Sequence, residues 1–242
     1  MRIFSRAALA AVASFITFSH AFAADWTGCY VGVNLGMARA SATATDLPFQ
    51  EGPYAGSGLG WNTAYDSVKA KGSQVSGGLV LGCDQQVATL GTGAVVLGGV
   101  LDGSVLNADG KASFSGTGDD TFAAFKLKNA ASLRLRAGYA NERALFYVTG
   151  GLARGQVDVS AYDDTPLAMM QVSGGGTKSG WVAGVGVEWA LSERRRLDIS
   201  LLHYDFGDLT ATGAAIDPIG AFPRFQHDIK ADVLRVGMNW RF

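Results

Sequence analysis

The chain ends in a regular alternation of large apolar residues with residues that are mostly small or polar. The apolar positions are Leu234, Val236, Met238, Trp240 and Phe242. The positions between them are Val233, Arg235, Gly237, Asn239 and Arg241. A repeat of two residues predicts a β-strand with one apolar face and one polar face. The chain must therefore fold so that bulky apolar side chains lie on one side of a sheet and charge lies on the other.

The first residues have the composition of an export signal. Two arginines precede the apolar stretch 7–18, and residues 21–23 (Ala-Phe-Ala) follow it. This order of basic, apolar and small residues is typical of a secretory signal peptide. The apolar stretch is shorter than the ~20 residues that a membrane-spanning helix needs. We expect residues 1–23 to be cleaved and residues 24–242 to form one domain; a buried N-terminal helix is the alternative.

Composition excludes a nucleic-acid-binding protein and favours a membrane barrel. Removing Arg2 and Arg6 with the signal leaves 18 basic against 21 acidic residues, a net charge of −3, which is not the basic footprint of a nucleic-acid-binding protein. The chain is 48% hydrophobic and holds 33 glycines, yet no segment after the signal has the uninterrupted apolar length of a membrane helix. This combination fits a β-barrel membrane protein, although a soluble all-β protein could share it.

Eight alternating segments follow one another, and each is predicted to be a strand. They are residues 26–38, 74–86, 94–106, 127–139, 144–157, 179–190, 196–206 and 230–242. Long polar connections alternate with short ones, as in outer-membrane barrels with long extracellular loops and short periplasmic turns. The predicted long loops are residues 39–72, 107–126, 158–178 and 207–229. A strand of about 11 residues, at ~3.3 Å per residue and ~40° tilt, covers roughly the ~25 Å apolar band of such barrels. The fold class predicted is an all-β, eight-stranded, antiparallel, up-and-down transmembrane barrel.

The size of the apolar side chains decides whether the apolar face points into the barrel or out of it. The interior of an eight-stranded barrel is only just wide enough for side chains. Trp181 and Trp189 share one face of the sixth strand and would crowd that interior, whereas Gly184 and Gly186 on the other face would fit it. We therefore expect the apolar face to meet lipid and the polar face to line the lumen.

Charged residues on the predicted inner face are expected to pair, because unpaired buried charge is costly. The predicted interior network consists of Asp84, Arg134, Arg136, Glu188, Asp198, Arg235 and Arg241. By contrast, the run of arginines at 194–196 is expected to be solvated in a periplasmic turn, with contact to peptidoglycan or anionic headgroups as the alternative. The register of the fifth strand is left open, because Gly150-Gly151 and apolar residues on both parities do not decide it.

Aromatic residues near the strand ends are expected to form two interfacial girdles. The periplasmic girdle would contain Trp26, Tyr139, Trp189 and Trp240, and the outer one Trp181, Tyr204 and Phe206.

Several segments together resemble a known family. They are WTGCYVGVNLG (26–36), SLRLRAGYANERALFYVTGGLARG (132–155), GWVAGVGVEWAL (180–191), HYDFGDL (203–209) and VLRVGMNWRF (233–242). They are similar to small outer-membrane β-barrels of alpha-proteobacteria, the porin-family or outer-membrane immunogenic proteins, whose fold is similar to the OmpA transmembrane domain. The resemblance implies an abundant outer-membrane surface protein with envelope-stabilising and host- or ligand-contacting roles; some relatives bind haem. The family often has an acid where Ser200 stands, and aromatic residues at the two cysteine positions.

The two cysteines are predicted to form a cross-strand disulfide. Cys29 and Cys83 both share parity with outward apolar residues, near the periplasmic ends of adjacent antiparallel strands. Pairing them also pairs Ala38 with Gln74, and an exported chain meets an oxidising periplasm. Two free thiols facing lipid are the alternative.

Residues with catalytic or ligand-binding chemistry are few. His203 or His227 could ligate haem at the outer loops, but solvated or interfacial histidines are the favoured interpretation, and no spacing indicates a metal site. Ser200, His203 and Asp205 are near in sequence, yet Ser200 should face inward and His203 outward, so a bulge would be needed to join them. We expect no enzyme activity, no cofactor and no metal.

The function predicted is structural: an outer-membrane surface barrel that contributes to envelope integrity and presents its extracellular loops. A narrow porin-like channel, or a surface protein binding haem or another small ligand, is the alternative. The expected partners are outer-membrane lipid and lipopolysaccharide, the outer-membrane assembly machinery, and host or small-ligand molecules at the loops. The assembly machinery is expected to recognise Trp240 and Phe242 as a C-terminal signal.

Overall fold

Eight antiparallel strands close into one barrel, as predicted. The computed structural model describes residues 25–114, 120–163, 170–217 and 219–242, so the predicted signal peptide 1–23 lies outside the described residues. Each strand pairs with the next in sequence, and β1 pairs with β8 to close the ring. The strands are β1 (Gly28–Leu47), β2 (Ser67–Leu90), β3 (Gly93–Ser113), β4 (Thr121–Ala140), β5 (Ala144–Asp163), β6 (Gln171–Ala190), β7 (Arg195–Thr212) and β8 (Arg224–Arg241). A short 3-10 helix, Gly52–Tyr54, lies in the first loop.

The register between β1 and β2 is the one expected from the cysteines. Cys29 lies opposite Cys83, and Ala38 lies opposite Gln74. In the described part of the chain no helix is long and apolar enough to cross a membrane, a finding that concerns helices alone.

The faces of the strands follow the predicted parity. On β4, Leu135 is 76% exposed whereas the neighbouring Arg134 is 3% exposed. The undecided fifth strand follows the same rule: Leu152 points outward, and Leu145 and Tyr147 point inward. Its inner-facing Gly151 lies against β4, where an added Cβ would be 2.7 Å from the Arg134 Cα. The close approach of these two backbones explains why a glycine occupies this position.

The strands are longer than the sequence predicts, and the predicted loops are correspondingly shorter. The expected loop 39–72 is strand up to Leu47 and again from Ser67. Strands also extend into the expected loops 107–126, 158–178 and 207–229. The prediction ended each strand where bulky outward residues ended, but period-two alternation continues beyond that point with smaller side chains.

The polarity of the outer and inner faces reverses along each strand where the bulky outward residues end. On lower β1 the outward residues Val33 and Leu35 are apolar, whereas on upper β1 the outward positions are Ser41 and Thr43. The inner face changes in the opposite sense, from charged residues below to a continuous apolar core above. That core includes Ala40, Ala42, Leu127, Val157, Leu202, Phe206, Phe225 and Ile229. We call the lower part the membrane section and the upper part the extension; the extension has the polarity of a water-soluble barrel.

Three aromatic residues predicted for the interfacial girdles lie inside the barrel instead. Trp26 is 1% exposed, and Tyr204 and Phe206 are also buried. The girdle prediction was wrong for Tyr204 and Phe206 because Leu201 and His203 face outward, so residues 204 and 206 must face inward by period two. The prediction was wrong for Trp26 because this residue precedes β1 and its side chain turns into the periplasmic mouth. Trp181, Trp189, Tyr139 and Trp240 are outward, 39–48% exposed.

Candidate functional site

The lower lumen is filled by a buried ion-pair cluster centred on Arg136. This β4 guanidinium donates from Nε to Asp84 Oδ1 on β2 (2.8 Å) and from Nη2 to Glu188 Oε2 on β6 (2.8 Å). Asn239 on β8 donates to the second oxygen of Glu188, also at 2.8 Å. All four side chains are at most 4% exposed. Since β2, β4, β6 and β8 are alternate strands around the ring, these bonds cross the lumen rather than following the wall.

A second cluster, farther from the periplasm, is centred on Asp102 of β3. Arg134 donates to Asp102 Oδ1 (2.8 Å) and Arg235 donates to Asp102 Oδ2 (2.9 Å). The hydroxyl of Ser132 also donates to this carboxylate. One buried carboxylate is therefore shared by two guanidiniums from β4 and β8, so each of its oxygens accepts a charge-assisted hydrogen bond.

Asp198 has hydroxyl partners rather than a guanidinium. Tyr147 donates to Asp198 Oδ2 (2.6 Å) and Ser200 donates to Asp198 Oδ1 (3.1 Å). The expectation that Asp198 pairs with an arginine was wrong. Ser200 serves here as a hydrogen-bond donor to the neighbouring carboxylate.

Glycines on the inner wall make room for two aromatic rings. A Cβ on Gly82 would lie 2.3 Å from ring atoms of Tyr30, and a Cβ on Gly186 would lie 2.4 Å from ring atoms of Tyr147. The guanidinium carbon of Arg136 lies 5.2 Å and 4.9 Å from the centroids of these two rings. These distances are within the range of cation–π attraction, so the rings close the space around the central charge.

Arg241 does not belong to the interior network. Its guanidinium lies at the periplasmic rim, where Nη2 donates to Asp25 Oδ2 (2.8 Å). Arg196, expected to be solvated, is instead 3% exposed and lies with its guanidinium carbon 4.4 Å from the Trp26 ring centroid. Arg241 is too close to the end of β8 to enter the lumen, whereas Arg196 shares the inward parity of Asp198.

Two charged residues of the barrel interior, Asp102 and Arg196, were missing from the predicted network. Both carried a usable signal. Asp102 is the one charged residue in the predicted third strand, 94–106. Arg196 is two residues from Asp198, and residues two apart on a strand share a face.

The first loop folds over the mouth of the extension. Asp46 is fully buried, and its carboxylate accepts hydrogen bonds from the backbone N–H groups of Trp61 (3.1 Å) and Asn62 (2.7 Å). The Trp61 indole donates to Asp163 at the end of β5 (3.3 Å), and Thr121 at the start of β4 donates to Asn62 (3.1 Å). Burial raises the pKa of Asp46 to about 6. The loop is thereby attached to the far side of the barrel.

The two described histidines lie in different environments, and neither stands at the mouth. His203 faces outward, with Nδ1 2.7 Å from Asp232 Oδ1 and its ring 5.4 Å from that of Trp181. His227 is 1% exposed inside the extension, and neither ring nitrogen has a hydrogen-bond partner there. Burial in this apolar core lowers the pKa of His227 to about 4.

Cys29 and Cys83 form a disulfide across β1 and β2, with a Cα–Cα distance of 4.0 Å. The residues considered for catalysis are not brought together: Ser200 is buried in the lumen and His203 lies on the outer surface. Among the described residues, no group of three or more His, Cys, Asp or Glu side chains could hold a metal ion.

Comparison with known proteins gives consistent results. The family model for the outer membrane protein beta-barrel domain matches residues 7–242. The 31 kDa outer-membrane immunogenic proteins of Brucella melitensis biotype 1 and Brucella suis biovar 1 are each 27% identical over 221 residues, covering 90% of this chain and 84% of theirs.

Two solved structures resemble the fold at low sequence identity. The outer membrane protein OprG from Pseudomonas aeruginosa has a TM-score of 0.57 and 12% identity, covering 91% of this chain and 99% of its own. The outer membrane protease OmpT from Escherichia coli has a TM-score of 0.50 and 9% identity, covering 93% and 99%. At such identities both likenesses concern the fold alone.

The closed barrel, its outward apolar band and these matches all indicate an outer-membrane location and a β-barrel fold. The protein is an outer-membrane β-barrel surface protein surrounded by outer-membrane lipid, and the chain belongs to the outer membrane protein beta-barrel domain family.

Proposed function

We propose that the protein is a sealed barrel with a structural role: it holds a tall, rigid extension at the cell surface and contributes to envelope integrity. The observation that carries this proposal is that the lumen is filled at two levels. Ion pairs and aromatic rings fill the membrane section, and an apolar core fills the extension.

The length of the strands supports the surface role. A strand of 20 residues, such as β1, is about 50 Å long along the barrel axis at ~3.3 Å per residue and ~40° tilt, against an apolar band of ~25 Å. About half of each strand therefore stands outside the bilayer. A core-filled extension of this height presents its outer face and first loop as one ordered surface.

The space left in the lower lumen does not favour a channel. A cavity beside Arg134, Arg235 and Tyr147 measures about 20 Å³, which is room for roughly one water molecule. An ion crossing this level would have to separate buried ion pairs, and a partner left unpaired there is costly.

The positions of the candidate side chains also support a non-catalytic role without a haem ligand. His203 is engaged with Asp232 on the outer surface, and His227 is enclosed by the apolar core. Ser200 lies on the opposite face of β7 from His203, so the two cannot share a proton.

We also propose that the outer-membrane assembly machinery recognises the C-terminal aromatic residues. Trp240 is 41% exposed and Phe242 is 81% exposed, on the outer face of the closing strand. Phe242→Ala should lower the amount of folded protein in the outer membrane, whereas Leu234→Ala on the same face of β8 should not. Equal amounts of the two variants would contradict this role.

Conductance in planar bilayers tests the sealed barrel. Folded protein, verified by its heat-modifiable mobility in gels, should add no stable current steps to those of a protein-free bilayer. In parallel, a deletion strain should become more sensitive to detergent, and expression of the parent chain should restore resistance. Stable current steps, or a deletion strain with an unaltered envelope, would refute the proposal.

A further inference from the structure

We propose that the outer face of the extension binds a short, uncharged oligosaccharide in a groove that crosses β3, β4, β5 and β6. The ligand presents ring C–H groups to an aromatic pair above the groove and hydroxyl groups to the polar side chains along it. This inference goes beyond the structural role proposed above, and it uses from that role only the placement of the extension outside the cell.

The groove crosses the sheet formed by the upper parts of these four strands. Its volume is about 740 Å³, within the ~300–1,000 Å³ range of small-molecule sites. Small residues form its floor, because Ala124, Ser160 and Ser173 occupy one register row on β4, β5 and β6. At a strand spacing of ~4.8 Å this floor is about 10 Å long, so it can hold a ligand of the length of a disaccharide.

The floor residues face outward, and the protein does not use their hydroxyl groups. Ser173 is exposed, and Ala124 and Ser160 are half-buried. The residues beside them on the inner face, Ala123 and Ala161, are at most 1% exposed. Neither serine side chain makes a hydrogen bond within the part of the chain that the structure describes. Two hydroxyl groups on the groove floor are therefore available to a ligand.

An aromatic pair lies directly above the floor, one row nearer the tip of the extension. Phe122 on β4 and Tyr162 on β5 are opposite each other in the register, with ring centroids 5.6 Å apart. Both side chains are half-buried on the outer face, at a height where water rather than lipid surrounds the barrel. The face of an aromatic ring carries negative potential, so it attracts the positively polarised C–H hydrogens of a sugar ring.

Lys111 closes the β3 end of the groove. It lies opposite Ala124 in the register, in the same row as the floor. Its Nζ is 3.7 Å from the ring centroid of Phe122 and 4.8 Å from that of Tyr162, within the range of cation–π attraction. At the β6 end the groove is lined by a serine and glycines and stays open. A groove closed at one end suits the end of a short sugar chain.

The charged residues below the floor carry both signs. Asp109, Lys126 and Asp158 follow one another in the register on β3, β4 and β5. Lys128 is paired with Asp158, with 2.6 Å between Nζ and Oδ2. These four side chains have no net charge, so they do not favour an ionic ligand. They offer ammonium donors beside carboxylate acceptors, and a sugar hydroxyl, which both donates and accepts, can bond to either.

Saturation-transfer-difference NMR of the full chain in nanodiscs tests the proposal with three added compounds. Cellotriose is a neutral, straight trisaccharide, trigalacturonate is a charged one, and tetraserine carries hydroxyl groups without sugar rings. Saturation of the aromatic resonances should reach the ring hydrogens of cellotriose. Its dissociation constant should be about tenfold lower than that of tetraserine, the factor expected from the aromatic contacts, and should also be lower than that of trigalacturonate.

Variants separate the aromatic pair from the floor. Tyr162→Leu should raise the dissociation constant of cellotriose about tenfold, whereas Tyr162→Phe should bind like the parent chain. Ser160→Leu should fill the floor and abolish binding. Its matched control is Ser41→Leu, since Ser41 is also half-buried and outward-facing but lies on β1, across the ring from β5. Heat-modifiable mobility in gels verifies that each variant is folded.

The proposal is overturned if cellotriose and trigalacturonate bind equally, or if Ser160→Leu binds cellotriose like the parent chain. Binding of tetraserine without binding of cellotriose would also overturn it and assign the groove to an extended peptide. Lipid-free polysaccharide from the producing cells, added as a competitor, distinguishes a sugar of the cell's own surface, which would displace cellotriose, from a sugar of the surroundings. Current steps in bilayers would refute the sealed barrel without altering these dissociation constants, so failure of the two proposals can be distinguished.

Discussion

Arg136 on β4 reaches across the lumen to Glu188 on β6, with 2.8 Å between Nη2 and Oε2. The two strands are not neighbours in the ring, since β5 lies between them. This ion pair therefore ties two non-adjacent strands of the wall together through the interior, in a way that hydrogen bonds between adjacent strands cannot.

The first prediction concerns this pair. Arg136→Leu should reduce the free energy of unfolding by about 3–5 kcal/mol, because it leaves buried carboxylates without a cation. A double-mutant cycle with Glu188→Gln should give a coupling energy of about 1–3 kcal/mol. Urea unfolding in lipid vesicles, followed by tryptophan fluorescence, measures both quantities.

The control for this cycle is the exposed pair Lys128–Asp158, whose atoms are 2.6 Å apart. Its coupling should be below about 1 kcal/mol, because exposed ion pairs are screened by solvent. Comparable couplings for the two pairs would mean that the interior charges do not stabilise the barrel.

The second prediction concerns the disulfide between Cys29 and Cys83, which are 54 residues apart in sequence. Replacing both by serine should destabilise the barrel by up to about 4 kcal/mol, the chain-entropy value for a loop of this length. The urea midpoint of the parent chain should fall on reduction, and that of the double variant should not respond. A parent chain insensitive to reductant, or free thiols in non-reducing mass mapping, would exclude the bond.

The third prediction is a pH dependence from His227 in the extension. The pKa of this buried imidazole is lowered from 6.5 to about 4, so the folded extension binds fewer protons than the unfolded one. Its contribution to stability is present above pH 6.5 and is lost as the pH falls towards 4. By pH 5 the loss should be about 2 kcal/mol, and hydrogen exchange of the upper part of β8 should accelerate.

His227→Leu should remove this sensitivity, and His203→Gln on the outer surface should not. Asp46 has the opposite effect on stability, because its pKa is raised to about 6 in the folded protein. Protonation of Asp46 therefore favours the folded form, and its contribution to the free energy of unfolding is lost as the pH rises from 3.8 to 6. The His227 variant should therefore become slightly more stable on acidification. Unchanged acid sensitivity in that variant would show that His227 is not the responsible group.

The fourth prediction separates strands from loops in the extension. Arg39, Lys69 and Lys71 are exposed but lie within the β1–β2 ladder. Trypsin added to whole cells should leave these bonds intact, because cleavage requires local unfolding. Chymotrypsin should cut at Tyr65 in the first loop, which is 72% exposed. Rapid tryptic cleavage at residue 69 or 71 would instead support the long loop over residues 39–72 that the sequence predicted.

The fifth prediction tests the reversal of polarity. Spin labels at positions 185, 199 and 236 should report hydrocarbon, because these side chains lie on the outer face of the membrane section. A label at position 43, also outward but in the extension, should report water. The same environment for all four labels would contradict the division of the barrel into two sections.

The alternation of residues determined much of this protein without any structure. It predicted eight antiparallel strands, the inward direction of Arg134 and Arg136, and the register in which Cys29 lies opposite Cys83. These features depend on parity and on the narrow interior of a small barrel, which exclude bulky side chains from one face. Local sequence carries that information because successive strand residues point to opposite faces.

The tertiary structure alone decided how far the strands run and which charges meet. Above the bilayer the outward side chains are small and polar, so the contrast that marks lipid contact disappears, and only pairing with the next strand and the core inside it show that residues 41–47 are strand. Partners such as Asp102 and Arg235 are 133 residues apart. Closure of the ring brings them together, and no local pattern encodes a distance across the lumen.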